Sequence, residues 1–177
     1  MYFKNFPTIP YDSVGNGQTK DVKNLLRRVG IRAKVKANVL FFDTYDIKEG
    51  ETPESIADKL YDDVEKHWII MLVNNITDRY HQWPKNDVQF AEFIADKYDN
   101  PDAIHHYEIP KSSGNTSSQG PNDYSYLVEV NSDTDNAVSV SFREYEERLQ
   151  DKYRSIKLLN QRFLSDFLEE FDKLIKT

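Results

Sequence analysis

The sequence predicts an α+β fold: a strand–helix–helix core, a small antiparallel sheet or hairpin, and a long C-terminal amphipathic helix. Three observations carry this expectation. Between Tyr45 and Asn75 a short strand, a glycine turn and two apolar-faced helices follow one another. Between Ala103 and Val140, strand-like runs are separated by Ser/Gly/Asn-rich chain. From Ser141 onward, apolar residues recur at three-four spacing with no Gly or Pro to supply a turn.

The first eleven residues set Tyr2, Phe3, Phe6, Ile9 and Tyr11 around Pro7 and Pro10. Paired prolines favour an extended path. An extended segment this aromatic either lies along its own domain or docks on a neighbour. After the break at Gly15-Asn16-Gly17, Lys20–Arg28 reads as a short helix. Ile31–Phe42 reads as a strand, with Ile31, Ala33, Val35, Ala37 and Val39 alternating against Arg32, Lys34, Lys36 and Asn38. Its cations would guard an exposed edge.

Gly50 permits a tight turn after the short strand at Tyr45, Thr52 caps the next helix, and Pro53 occupies its first position. Ile56, Ala57 and Leu60 give one apolar face; Val64, Trp68, Ile69, Leu72 and Val73 give a second helix ending at Asn74-Asn75. An aromatic loop Tyr80–Pro84 follows, then a helix from the Asn86/Gln89 capping pair to about Tyr98. Ala103–Ile109 and Tyr124–Val130 are strand candidates, with 110–123 a mobile loop between them and Ala137–Val140 continuing the second. Ser141 and Glu144 form a capping box. From there Phe142, Tyr145, Leu149, Ile156, Leu159 and Phe163, then Leu164, Phe167 and Phe171, read as one helix. Such a helix would span roughly 50 Å, longer than a domain this small. The expected division is therefore an arm with a short helix (1–30), a core (31–100), a hairpin region (101–140) and the long helix (141–177).

Composition narrows the function. A chain of 177 residues with 23 Lys+Arg against 30 Asp+Glu, net −7, argues against a nucleic-acid binder, which needs a cationic face. At 30% charged residues and with no apolar run near ~20 residues, it argues against a membrane span. The absence of cysteine removes disulfides, thiolate zinc sites and Cys nucleophiles, and suits a reducing compartment. The N-terminus lacks a signal-peptide pattern, so synthesis without export is expected.

Enzyme signals are thin. His67, His81, His105 and His106 show no zinc spacing, and adjacent residues of a strand, such as His105 and His106, should face opposite ways. Carboxylate pairs follow from composition, and there is no GxSxG, P-loop or GxGxxG. Asn131–Asn136 offers Asp133 and Asp135 but reads as a turn. Trp83 is expected to plug its own core rather than stack on a sugar. No catalytic residue, cofactor or metal is expected.

Two resemblances add to this reading. Tyr45, Ile47, Gly50, Glu51, Thr52, Ser55, Ile56, Ala57, Leu60 and Asn74 resemble a LysM module. That would imply a peptidoglycan- or glycan-binding module of a lytic or cell-wall-associated system. A LysM closes with a second strand pairing the first, whereas an aromatic loop and another helix follow Asn75. Over nearly the whole chain, the order of aromatic arm, LysM-like core, Asn75…Tyr80…Trp83 loop, Lys97-Tyr98 helix end, hairpin and terminal helix resembles the baseplate wedge protein 53 family of contractile-tail, T4-like bacteriophages. Tyr145, Glu146, Arg154, Ile156, Lys157, Leu158, Leu159 and Phe167 match its C-terminal pattern. This resemblance implies a structural virion protein without catalysis, assembled in the host cytoplasm. Its implied role is to join neighbouring wedges into a ring, with other wedge and inner-baseplate proteins as partners in multiple copies.

A ring of heterologous contacts needs two different patches per subunit. The expected partner-binding residues are Tyr2, Phe3, Phe6, Ile9 and Tyr11 on the arm and Tyr80 and Trp83 on the loop. On the terminal helix they are Ile156, Leu159, Phe163, Phe167 and Phe171.

Overall fold

The computed structural model describes residues 2–111 and 126–176. In chain order the elements are β1 (Thr8–Tyr11), β2 (Lys20–Lys23), α1 (Ala33–Lys36), β3 (Phe42–Asp46), α2 (Pro53–Tyr61), α3 (His67–Asn74) and α4 (Arg79–Gln82). Then come α5 (Asp87–Lys97), β4 (Ile104–Lys111), β5 (Tyr126–Val130), β6 (Val138–Ser141), α6 (Phe142–Arg154), β7 (Ser155–Leu159) and α7 (Leu164–Lys176). The mixture is α+β, as predicted. The chain divides into two compact units: one from Met1–Trp83 with Arg154–Thr177, the other Pro84–Tyr153.

In the discontinuous unit, β3 pairs antiparallel with β7, from Phe42↔Leu159 to Asp46↔Ser155. The strand that should close the core is therefore present, but it lies some eighty residues beyond α3 in the sequence. This overturns the single terminal helix: α6 ends at Arg154 and the chain runs straight into β7. Two local features explain the break. Residues 155–158 alternate exposed and buried, so a strand turns Ile156 and Leu158 inward together. Asn160 then caps a 3-10 turn at Gln161–Phe163, accepting from the Arg162 N–H at 3.1 Å, which restarts the helix without Gly or Pro. Asn74 clamps the strand: its Nδ2 donates to the Lys157 carbonyl and its Oδ1 accepts from the Lys157 N–H, both at 2.8 Å.

Behind these strands α2 and α3 bury Ile56, Ala57, Tyr61, Ile69, Ile70 and Val73 against Phe42, Ile47, Ile156, Leu158 and Leu159. Each fully buried aliphatic side chain stabilises the fold by roughly 2 kcal/mol. Helix α2 starts as the sequence implied, with Thr52 as its cap and Pro53 at its first turn; Ser55, which the sequence did not single out as a cap, completes a capping box with Thr52. Gly50 takes φ +73°, a conformation costly for other residues.

Two further expectations in this unit fail. Lys20–Arg28 is not a helix: Lys20–Lys23 pairs with β1, placing Val22 opposite Ile9. The strand expected over Ile31–Phe42 is absent except for Phe42, which opens β3. The N–H groups of Val35 and Lys36 turn back to the Arg32 carbonyl, and among the described residues no partner ladder lies beside them. An alternating pattern without a partner strand has no sheet in which to bury its apolar set.

In the other unit the sheet order is β5–β4–β6, both neighbours antiparallel to β4. Ala137–Val140 thus belongs to a strand of its own, β6, on the far side of β4, and does not continue β5. Helix α5 opens with the Asn86/Gln89 capping box, and α6 opens with the Glu144 N–H on the Ser141 hydroxyl at 3.2 Å. Asn131–Asn136 is a turn, closed by the Thr134 N–H on the Asn131 carbonyl. Apart from Pro110 and Lys111, which extend β4, the loop read over 110–123 lies outside the described residues, as does Tyr124. Among the described residues no helix is long and apolar enough to cross a membrane.

Candidate interaction surfaces

Of the two fates open to the N-terminal arm, the structure takes the first. A 3-10 turn at Tyr2–Asn5 brings Tyr2 and Phe6 onto Trp68 and Phe171, with ring centroids 5.1 Å (Tyr2–Trp68), 5.6 Å (Tyr2–Phe171) and 4.7 Å (Trp68–Phe171) apart. Aromatic pairs at these separations add to the burial they bring. Phe6, Phe171 and Ile175 form a small buried cluster, flanked by Val29 and Leu72. Polar bonds fix the arm: Asn5 Nδ2 donates to Asp172 Oδ1 at 2.6 Å, and Lys23 Nζ to the Lys4 and Phe6 carbonyls at 2.9 Å each. The arm does not dangle.

The twelve expected partner residues therefore separate. Phe6, Trp83, Ile156, Leu159 and Phe171 are buried in the chain's own core, so a partner meeting this conformation does not touch them. Tyr2, Ile9, Phe163 and Phe167 are half-buried, and Phe3, Tyr11 and Tyr80 are exposed. Trp83 plugs its own core, its indole N–H donating to the Glu51 carbonyl at 2.8 Å. Tyr80, on the short helix α4 capped by Asp78, is 83% exposed. Sequence reading missed a second exposed set: Leu25, Leu26, Val35, Val39 and Leu40. The signal was there in the alternation over 31–39, read as a strand.

The turn between β3 and α2 is held by one carboxylate. Glu51 accepts from the Tyr45 hydroxyl at 2.7 Å, the Lys48 N–H at 2.9 Å and the Lys59 ammonium. Burial pushes Glu51 up, but these three donors outweigh it and hold the carboxyl at about 2. Burial and the same carboxylate push the Tyr45 hydroxyl up to about 12.

The other unit is held by charge. Arg148 makes a bidentate pair with Glu108, both contacts 2.8 Å, and reaches Glu144 at 2.6 Å. That guanidinium holds Glu108 below the usual carboxylate range against the effect of burial. Buried Glu146 accepts from Lys97 Nζ at 2.6 Å and the Tyr98 hydroxyl at 2.7 Å, and Gln150 accepts from the Lys85 N–H at 2.8 Å. The histidines do not face apart as a regular strand requires. A register shift between Ile104 and His106 brings their Nδ1 atoms to 2.8 Å, and His105 stacks on Tyr145 with centroids 4.1 Å apart. Among the described residues no three His, Asp or Glu side chains converge as metal ligands. The charged groups of this unit pair with one another.

Residues 1–109 match the family model described as base plate wedge protein 53. The chain belongs to this family. A stretch of 97 residues is 26% identical to the baseplate wedge protein gp53 of Enterobacteria phage T4, covering 55% of this chain and 44% of that relative. Less than half the length of the relative is thus represented. The family match spans the arm, the β1–β2 hairpin, the β3–α2–α3 segment, Trp83, α5 and most of β4, whereas β7 and α7 lie beyond it.

Proposed function

We propose that this chain is a structural, non-catalytic subunit of a contractile-tail phage baseplate that joins neighbouring wedges during assembly. It is proposed to act in multiple copies around a ring, in contact with other wedge and inner-baseplate proteins. Its final place is the virion, reached by assembly in the host cytoplasm. The observation that carries the reading is the family match over residues 1–109. The exposed Phe3, Tyr11 and Tyr80 support it, since aromatic anchors of this kind are common at interfaces. The test is to block synthesis of the chain in infected cells and sediment the lysate. Wedges should accumulate without closed baseplates, and a plasmid copy should restore closure. Closed baseplates in its absence would contradict the proposal.

A second reading, a LysM-type glycan-binding module, has one observation in its favour: the strand–helix–helix–strand order completed by β7. Against it, buried Trp83 has given its N–H to Glu51 and offers no stacking face. Sedimentation with purified peptidoglycan separates the two. The wedge reading predicts no retention, and saturable retention would favour the glycan reading.

A further inference from the structure

We infer that the basic, apolar segment Lys20–Leu40, with the groove it forms beside α7, docks an acidic amphipathic segment of another tail protein; this rests on the baseplate reading above. Seven of the 23 Lys+Arg lie between positions 20 and 36 beside one carboxylate, Asp21, in a chain of net −7. Elsewhere cations find carboxylates, as in Lys59–Glu51, Arg79–Glu54 and Arg148–Glu108. Among the described residues no carboxylate lies within ion-pair distance of Arg27, Arg28 or Arg32. Lys23 and Arg27 are spent on main-chain carbonyls, Arg27 on that of Ile175 at 3.4 Å. Arg28 and Arg32 remain exposed. Burial and the neighbouring Lys157 ammonium hold Lys36 below its ordinary value, so an added carboxylate there would be welcome. Lys20 and Lys23 lie on β2, but with no strand at 31–41 Arg27, Arg28, Arg32 and Lys36 guard no sheet edge.

Between the cations lies apolar surface. A groove of about 360 Å³ is lined by Val29, Ile31, Val35, Phe171 and Leu174, with Arg32 and Glu170 also at its wall. Leu26 is 91% exposed and Val39 84%. A groove for aliphatic side chains with the Arg32 guanidinium at its wall, on a segment that also exposes Arg28, is complementary to a segment with one apolar and one acidic face, since guanidinium groups grip carboxylates bidentately. A nucleic-acid backbone or an anionic bilayer brings no isolated side chains to fill the groove, and the chain's net charge repels both. A second copy fits poorly. Its acidic amphipathic helix α7 already forms the groove wall, and α6 commits Glu144 and Glu146 to Arg148 and Lys97.

The test places a photo-crosslinking residue at Leu26 and, separately, at Leu174, in tails purified from the phage that encodes the chain. The expected product joins this chain to a net-negative segment of another tail protein whose apolar residues recur at three-four spacing. The double variant Arg28→Glu/Arg32→Glu should lower its yield roughly tenfold, as loss of charge-assisted contacts implies. The control Lys48→Glu/Lys152→Glu should not. Both arginines are exposed, so the variant should keep the wild-type melting temperature. Crosslinks to a second copy or to nucleic acid, none at all, or a yield indifferent to charge reversal would overturn the inference. If the chain is present in tails but fails to crosslink, the inference alone falls. If it is missing from tails, the baseplate reading falls with it.

Discussion

The two units of this chain hold themselves together by different physics. The discontinuous unit closes over apolar side chains: Ile69 and Ile70 are fully inaccessible, and Phe42, Ile47, Trp83, Ile156 and Leu159 pack around them. In the unit Pro84–Tyr153, the buried apolar side chains among the described residues are Ile94 and Val140, beside the buried polar Glu108, Glu146 and Gln150. An apolar core gains from every contact and needs no direction. A polar one is stable only while each buried group keeps its partner. The difference teaches where each unit is vulnerable: the first to lost volume, the second to a lost partner or a lost charge.

The largest expected effect follows from that contrast. Ile70→Ala, in the packed centre of the first unit, should cost about 3 kcal/mol in urea unfolding, the sum of lost transfer energy and a residual cavity. In the second unit Arg148→Ala should cost about 2 kcal/mol, because Glu108 keeps its buried carboxylate and loses its bidentate donor. If Ile94→Ala proved far costlier than Arg148→Ala, the distinction between the units would fail. The smallest effect is a pH dependence. Glu51 and Glu108 are both held below the ordinary value of 4.5, so on acidification the unfolded chain takes up protons before the folded one. Their contribution is complete above about pH 5 and is lost as pH falls through the folded values, down to about 2 for Glu51. Urea midpoints at pH 7, 4 and 3 should decrease in that order, and Glu51→Gln should flatten the lower end.

Much of the local structure was legible because it is written in adjacent residues. Thr52 and Pro53 start α2, Asn86 and Gln89 start α5, and Gly50 makes the turn. Family membership was legible in the order of local features along the chain, from the aromatic arm through the Asn75…Tyr80…Trp83 loop to the Lys97-Tyr98 helix end. What could not be read depends on partners distant in sequence. Ile156, Leu159 and Phe163 fit helical spacing as well as any true helix. Only pairing with β3, more than a hundred residues earlier, makes the first two a strand. Asn160, a helix cap inside the supposed helix, was the one local sign of that break. The burial of Phe6 and Phe171 was hidden likewise: they look like grips in isolation, and they pack into one cluster from opposite ends of the sequence.

Residues 84–153 interrupt a unit whose closing strand lies beyond them. Both ends of the interruption return to the same turn, Trp83 bonding the Glu51 carbonyl and the Arg154 carbonyl accepting from the Ile47 N–H at 2.9 Å. The direct measurement is the thermal unfolding of a chain in which 84–153 is replaced by a short Gly/Ser linker, followed through its near-ultraviolet circular dichroism. One cooperative transition, with the folded aromatic signal of Trp68 and Trp83 below it, is the expected result. A chain that shows no transition and no aromatic signal would contradict the account.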